Sequence, residues 1–158
     1  MKIEGKDSSD YTDKYSASFS ENIAKINDFG FFDSYPIRKK ESIMIIDIMQ
    51  QKILFAKGFK DLLGYDDDEI TLDLIVSSWH PDDKNIVDRV GLATITYTFE
   101  HLKDSPSHFL EITFRRKKSD GSYIKLLSRS SAFKMDESGN IESLFIQYTD
   151  ISFMDTPN

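Results

Sequence analysis

The chain has 158 residues, no cysteine and a formal net charge of −7 at pH 7. This length fits one domain with room for a terminal extension. The absence of cysteine excludes disulfides, a thiolate nucleophile and a cysteine-ligated metal. The negative charge argues against a nucleic-acid-binding surface and against docking to anionic lipid. No apolar run reaches about 18 residues, so no transmembrane helix is expected, and the polar start indicates a cytoplasmic protein.

The amino-terminal region divides into a polar stretch and an amphipathic segment. Residues 1–13 are polar and are expected to be disordered. Residues 14–40 contain an apolar stripe at helical spacing and then a connector broken by proline. The stripe consists of Tyr15, Phe19, Ile23 and Ile26. The predicted helix either packs on its own domain or contributes to the interface of a homodimer, and the pattern leaves both open.

Two apolar, β-rich segments follow at residues 42–48 and 51–56. Because nearly every position is apolar, both are predicted to be strands buried on two faces. Residues 58–65 predict a short helix that ends at Gly64. The acidic residues 66–69 suit a helix cap and first turn. They lack the alternate spacing and central glycine of an EF-hand, so no metal site is expected there.

A second short helix is predicted at residues 72–79, and Pro81 suits the first turn of a longer one. His80 then belongs to the junction between them. An apolar stripe marks the long helix: Ile86, Val90, Ala93 and Tyr97. Residues 94–99 alternate like a strand and are rich in β-formers, so the pattern alone leaves the later part of this helix open.

Three strands are predicted at residues 109–116, 123–133 and 141–153. Asp120-Gly121 favours a tight hairpin between the first two, because glycine accepts positive φ without a steric clash. The basic residues 115–118 lie near the hairpin tip and are expected to be solvated. Together with the two earlier strands, these form a predicted five-stranded antiparallel sheet with helices on one face, an α+β fold.

This ordered set of motifs resembles the PAS domain, a small sensory module. The motifs are Gly-Tyr at residues 64–65, Trp-His-Pro-Asp-Asp at 79–83, the Asp-Gly hairpin, and Gln-Tyr-Thr-Asp-Ile at 147–151. The resemblance places a PAS domain at residues 41–153 and leaves 154–158 as a tail or linker. It also implies that the ambiguous segment after Ala93 continues the long helix that lines a PAS cavity.

The chemistry expected from the sequence is binding and not catalysis. No phosphate-binding glycine loop or nucleophile elbow is present, and His80, His101 and His108 are too scattered for a metal cluster. Flavin-binding photosensory PAS domains use a reactive cysteine, so flavin-cysteinyl photochemistry is excluded. Haem-binding PAS sensors use a histidine in the long helix. The matching region near Thr94 has none, so haem is not expected.

The remaining sensory option is a small hydrophobic ligand held non-covalently between the sheet and the helices. The residues predicted to line that hollow are Ile46, Phe55, Phe59, Leu63, Trp79, Ile86, Val90, Phe114, Leu127 and Phe145. The same residues fit a core that is simply filled. Because a shift of one residue exchanges the two faces of a strand, the inward set depends on the register.

The predicted function is sensing and signalling by a homodimeric PAS domain. The amino-terminal helix and the Trp-His-Pro-Asp-Asp string are similar to those of PAS domains fused to LuxR-type helix-turn-helix regulators in bacteria. No helix-turn-helix lies in this chain, so direct binding of nucleic acid is not expected of it, nor is membrane binding. The alternatives are a sensor attached to a histidine kinase or a diguanylate cyclase, a ligand-free dimerisation module, and a small carrier of hydrophobic molecules.

Overall fold

The computed structural model describes residues 29–101 and 109–155, and its central feature is one five-stranded antiparallel sheet. The strands are β1 (Glu41–Asp47), β2 (Lys52–Lys57), β3 (Phe109–Lys117), β4 (Tyr123–Met135) and β5 (Ile141–Asp150). Their order across the sheet is β2-β1-β5-β4-β3. Each neighbouring pair is antiparallel. The predicted α+β class and the five-stranded sheet are confirmed.

The β3–β4 hairpin forms where the Asp-Gly pair predicts it. Gly121 has φ +86°, the left-handed conformation that glycine adopts without strain. The Lys118 N–H donates to the Ser122 carbonyl at 2.8 Å. The Asp120 carboxylate accepts from the Ser122 hydroxyl at 2.6 Å and from its N–H at 2.9 Å. These bonds, together with the nearby ammonium group of Lys118, lower the pKa of Asp120 to about 2.

The last strand is shorter than predicted. It ends at Asp150, and a 3₁₀ turn at Ser152–Asp155 follows. The Ser152 N–H donates to the Asp150 side chain at 2.9 Å, a local bond that turns the chain away from the sheet. The prediction of a strand through residue 153 was therefore wrong at its end.

Three α-helices connect β2 to β3: α1 (Phe59–Leu63), α2 (Leu72–Ser77) and α3 (Pro81–His101). A 3₁₀ turn at Asp67–Glu69 separates the first two. The third runs through residues 94–99, so the helix implied by the family resemblance is confirmed over the strand-like pattern. No helix in the described part of the chain is both long and apolar enough to cross a membrane.

The short helix α1 is closed at both ends by neighbouring residues. Gly64 follows it with φ +84° and donates its N–H to the carbonyls of Phe59 and Lys60 at 3.1 and 3.0 Å. At the other end, the Asp67 carboxylate accepts from the backbone N–H groups of Phe59 and Gly58 at 2.8 and 3.1 Å. The acidic run thus supplies a cap, as expected, but Asp67 also caps the helix that precedes it in the chain.

The chain separates into two compact units, Met1–Pro36 and Ile37–Asn158. The described part of the first unit contains a 3₁₀ helix, Phe29–Ser34, in which the Phe32 ring lies 5.4 Å from Phe31 and 6.0 Å from Tyr35 between ring centres. The predicted disorder at residues 1–13, the apolar stripe that follows and the last three residues of the tail lie outside the described residues.

The core of the second unit lies on one face of the sheet, beneath α1, α2 and the start of α3. Its buried members are Met44, Phe59, Leu62, Leu63, Ile70, Ile75, Phe114, Leu126 and Tyr148. We call this side the helix-covered face, and the reverse side of the sheet the outer face. Any site between sheet and helices must be built from side chains on the helix-covered face.

Candidate functional site

Part of the set of residues predicted to line a pocket lies on the helix-covered face. Phe59, Leu63 and Phe114 are buried in the core, and Trp79 packs against it while half-buried. Ile46 lies on the same face, because it is two residues after Met44 in β1 and alternate side chains of a strand share a face. It pairs with Leu144 in β5 and with Ile53 in β2. The structure thus brings these five side chains to one side of the sheet.

The other predicted strand residues lie on the outer face. Ile45 pairs with both Phe55 and Phe145, so these three side chains share one side of the sheet. A register shift next to Ile45 leaves Leu54 unpaired in β2, and this bulge reverses the expected direction of Phe55. Leu127 follows Leu126, which is in the core, and therefore points the other way. The structure does not bring Phe55, Leu127 or Phe145 to the predicted pocket.

The two predicted pocket residues on α3, Ile86 and Val90, lie along an open groove with a volume of about 790 Å³. In the described part of the chain, the groove is lined by Ile86, Arg89, Val90, Leu92, Ala93, Thr96 and Tyr97. All four residues of the predicted helical stripe are among them. Ile86 is 62% exposed and Tyr97 54%. The stripe therefore does face a hollow, but that hollow opens to solvent.

The first turn of α3 is fixed to the sheet by a charged clamp between Asp83 and Arg115. The Arg115 guanidinium donates from Nε at 3.0 Å and from Nη2 at 2.6 Å to the two carboxylate oxygens. The Arg115 backbone N–H donates to the same carboxylate at 2.7 Å. These hydrogen bonds hold the pKa of Asp83 below its usual value, against the opposing effect of partial burial. The clamp makes the helix start an anchored point.

Backbone hydrogen bonds reinforce this anchor on both sides of Arg116. The His80 N–H donates to the Arg115 carbonyl at 3.0 Å, and the Lys117 N–H donates to the Ser78 carbonyl at 2.7 Å. Trp79 and Arg116 consequently form an antiparallel bridge. The connector between α2 and α3 is thereby paired to the edge of the sheet, directly over the Arg116 backbone.

Arg116 itself is the main residue that sequence reasoning misplaced. The basic run at residues 115–118 was expected to be solvated, yet Arg116 is 0% exposed. Its backbone lies two residues after the buried Phe114, so strand alternation directs its side chain to the helix-covered face. Burial lowers the pKa of its guanidinium. An arginine nevertheless keeps its charge in proteins, so a cation lies inside the core.

The Arg116 guanidinium is held on three sides. Its Nη1 donates to the Ile75 carbonyl at 2.6 Å and to the Ser78 hydroxyl at 2.8 Å. The guanidinium carbon lies 5.2 Å from the ring centre of Phe114 and 5.1 Å from that of Tyr148. Such cation–π contacts compensate in part for lost hydration. The signal that could have found this residue was the inward alternation of Ile112 and Phe114.

His80 and the acidic turn at residues 66–69 make local structural contacts. His80 accepts from the Asp82 N–H through Nδ1 at 3.2 Å, and its ring packs edge-on against Tyr123 at 4.6 Å between centres. Asp66 donates its N–H to the Glu69 side chain at 2.8 Å. Within residues 29–101 and 109–155, no three potential metal-ligating side chains are grouped. The His101 side chain and His108 lie outside what the structure describes.

Comparison with known proteins agrees with this architecture. A family model described as PAS fold matches residues 52–144. The N-terminal domain of a diguanylate cyclase with a PAS/PAC sensor from Marinobacter aquaeolei has a TM-score of 0.58 and 19% identity, covering 74% of this chain and 100% of that chain. A sensory box histidine kinase/response regulator from Burkholderia thailandensis has a TM-score of 0.54 and 21% identity, covering 73% and 80%.

A third similar structure is the light state of the blue-light photoreceptor Aureochrome1 LOV, with a TM-score of 0.55 and 21% identity, covering 70% of this chain and 81% of that one. No curated protein sequence matches this chain. At these identities, the solved structures show a shared fold. The family model spans more than half of the 158 residues. The chain therefore belongs to the PAS fold family of sensory domains.

Proposed function

We propose that this chain senses a small, largely hydrophobic molecule, and that α3 is the element that responds to it. The observation that carries this proposal is the contrast along α3. Its first turn is anchored by the Asp83–Arg115 clamp, whereas its apolar stripe lines an open groove. An apolar ligand in such a groove would remove exposed apolar surface from water, which is favourable at about 25 cal/mol per Å².

Signalling requires that the ligand favours one of two arrangements of α3 and the sheet. The anchored first turn supplies a fixed end, and the stripe supplies a surface that the ligand can pull toward the sheet. A ligand that bound both arrangements equally would shift nothing, however tightly it bound. The proposal therefore concerns the position of α3 as well as occupancy of the groove.

The experiment is a thermal-shift and NMR titration of the full chain with 1-octanol, which has an apolar chain and no charge. A ligand that binds only the folded state at about 100 times its Kd stabilises that state by about 2.7 kcal/mol. We expect the melting temperature to rise and the amide signals of residues 86–97 to move. An unchanged melting temperature together with unmoved α3 signals would contradict the proposal.

A matched pair of variants separates filling of the groove from the mere addition of an indole. Val90→Trp places the larger ring among the groove residues and should abolish the octanol response while the domain stays folded. Asn85→Trp adds the same ring at an exposed position of α3 that is not among the groove residues, and should leave the response intact. Loss of folding in Val90→Trp alone would indicate that the space is already packed.

We also propose a homodimer in which the stripe Tyr15, Phe19, Ile23 and Ile26 contributes to the interface. The support is the sequence pattern, since four apolar side chains on one helical stripe are costly to leave in water. Ile23→Asp should weaken association because an unpaired carboxylate is costly to desolvate. Lys25→Asp, a change off the stripe, should not. Sedimentation of the unmodified chain as a monomer at tens of micromolar, roughly the range of a weak interface, would refute the dimer.

The effector that reads this sensor is proposed to be a LuxR-type helix-turn-helix region. The support is the similarity of the amino-terminal stripe and the Trp-His-Pro-Asp-Asp string to such regulators. A histidine kinase or a diguanylate cyclase is the alternative, and two similar solved structures carry those descriptions. Reading the gene beyond the codon for Asn158 distinguishes these outputs. Because the chain has no cysteine, a cysteinyl-flavin light response is not part of the proposal.

A further inference from the structure

Arg116 is a buried cation with one hydrogen-bonding edge unused. Its Nη1 is paired, but its Nε and Nη2 are buried and have no hydrogen-bond partner in the structure. Leaving a charged donor buried without an acceptor is costly, more so than for a neutral donor. Among the described residues, no carboxylate contacts this guanidinium, although acidic residues outnumber basic ones by 27 to 20 in the whole chain. An unpaired edge of this kind needs a physical explanation.

The adjacent Arg115 shows what that edge binds when an acceptor is present. Its Nε and Nη2 donate side by side to the two oxygens of the Asp83 carboxylate. This parallel geometry is the preferred match between a guanidinium and a carboxylate. Arg116 has the same two donors free, in a site with far less solvent than that of Arg115, whose side chain is 42% exposed.

The helix-covered face carries further polar groups that an apolar core would not need. Trp79, which is bridged to Arg116, has a buried and unpaired Nε1 donor. On the helix-covered face, Tyr148 pairs with Ser42 on one side and Ser128 on the other, and both serines are buried. The Ser42 hydroxyl has no partner in the structure either. Donors without acceptors are thus concentrated on this side of the sheet.

We propose that this domain also binds a small organic acid, whose carboxylate pairs with the Nε and Nη2 edge of Arg116. This site is distinct from the groove along α3, whose described lining contains no residue of β3, and the inference rests on the proposed sensor function. The acid's apolar part would lie against the core side chains beside the guanidinium, and its carboxylate would supply the acceptor that the fold lacks. A neutral molecule of equal length would leave the buried charge unpaired.

The position of Arg116 also connects binding to α3. The same guanidinium donates through Nη1 to Ile75 and Ser78, at the carboxyl-terminal end of α2. The connector that follows is paired to β3 across the Arg116 backbone. A carboxylate bound to Arg116 would therefore lie beside the segment that precedes α3.

The test compares straight-chain carboxylates from acetate to octanoate with the primary alcohols of the same length. Binding to the full chain is measured by thermal shift, and the side-chain Nε–Hε signal of Arg116 is followed by NMR. We expect the acids of the preferred length to bind at least tenfold more tightly than the alcohols, equivalent to about 1.4 kcal/mol. The Arg116 Nε–Hε signal should shift downfield as a charge-assisted hydrogen bond forms.

Two methionine variants make the assignment specific. Arg116→Met keeps much of the side-chain volume and removes the charge, so it should erase the preference for acids over alcohols. Arg129→Met is the control, because Arg129 also lies over an aromatic ring, Phe109 at 5.2 Å, but on an exposed side chain paired with Glu111. It should leave the preference unchanged. If Arg116→Met does not fold, the titration of the Arg116 Nε–Hε signal in the unmodified chain decides whether the carboxylate binds this side chain.

The outcomes separate this inference from the sensor function. Equal binding of octanoate and 1-octanol would overturn the carboxylate inference and leave the sensor role supported. Acid binding with an unmoved Arg116 Nε–Hε signal, or with the preference retained in Arg116→Met, would also overturn it. A crystal structure with the acid present, but only water on Nε and Nη2, would do the same. Binding of neither series would contradict both proposals.

Discussion

The helices α1 and α3 are attached to the same sheet in opposite ways. The five-residue α1 is capped at both ends, and its Phe59, Leu62 and Leu63 side chains are almost fully buried. The 21-residue α3 is fixed at its first turn, and further along it Leu92 is 68% exposed. The shorter helix is the better anchored one, because packing and caps contribute more to helix stability in a protein than length does.

This difference suits a sensor, which needs a rigid reference and an element that can move at low cost. Elements with few buried apolar contacts open at low free energy, whereas core elements open only with the whole domain. The described part of α3 combines a fixed start with exposed apolar side chains. We therefore expect perturbations near α1 to change global stability, and equal perturbations along α3 to change it little.

The largest expected effect comes from removing the central side chain of α1. Phe59→Ala should destabilise the fold by about 3–5 kcal/mol, since it deletes a fully buried ring that contacts Tyr148 edge-on. Leu92→Ala on α3 should change stability by less than about 0.5 kcal/mol. Urea denaturation of both variants measures the contrast. Similar losses in the two variants would show that α3 is packed as tightly as α1.

A pair of glycine substitutions tests the same contrast, because we expect one to lower the stability of the fold and the other to raise it. Gly64→Ala should destabilise by about 1–2 kcal/mol, because its φ of +84° disfavours a Cβ and that atom would collide with the Ser119 hydroxyl. Gly91→Ala should stabilise by about 0.5–1 kcal/mol, since it lies within α3 and a Cβ there meets no atom within 4 Å. A loss of stability in Gly91→Ala would contradict the open surroundings of α3.

The fold was predictable because its signals agree with one another. Apolar strands, the Asp-Gly hairpin and Gly64 at a helix end are local features, and each forms where it was expected. The inward set was less predictable. Residues 126–127 and 144–146 are apolar at consecutive positions, so alternation does not choose a face, and the bulge at Leu54 reverses Phe55. These choices depend on the register between strands, which a single segment does not contain.

Arg116 shows a different limit. Its inward direction follows from Phe114 by alternation, but its neighbours Arg115, Lys117 and Lys118 suggested one solvated basic run. Hydropathy favours placing an arginine in water, since burial of an unpaired charge is costly. In the structure, two aromatic rings and the carbonyl of Ile75 contact the guanidinium and offset part of the cost of burying its charge. Sequence patterns describe average costs and do not include such partners from distant elements.

The smallest expected effect concerns the clamp at the start of α3. The pKa of Asp83 is lowered by its hydrogen bonds from Arg115, so its folded value is below the unfolded one. Its stabilising contribution is then fully present above the unfolded pKa of about 3.8 and is lost as pH falls through the folded pKa. Asp83→Asn should remove this part of the acid dependence and increase amide exchange in the first turns of α3, with little change in global unfolding.

Asp120→Asn is the matched control for the clamp, because the Asp120 pKa is also lowered, to about 2, but its partners lie in the β3–β4 hairpin. This variant should alter the acid dependence without changing amide exchange in α3. Hydrogen exchange measured by NMR at neutral pH compares the two variants residue by residue. Equal exchange in α3 for Asp83→Asn and the unmodified chain would mean that the backbone bonds of His80 and Lys117 hold the helix start without the clamp. The start of α3 would then be fixed by the connector at Trp79, which is paired to β3 at Arg116. The proposed carboxylate site at Arg116 would adjoin that fixed point.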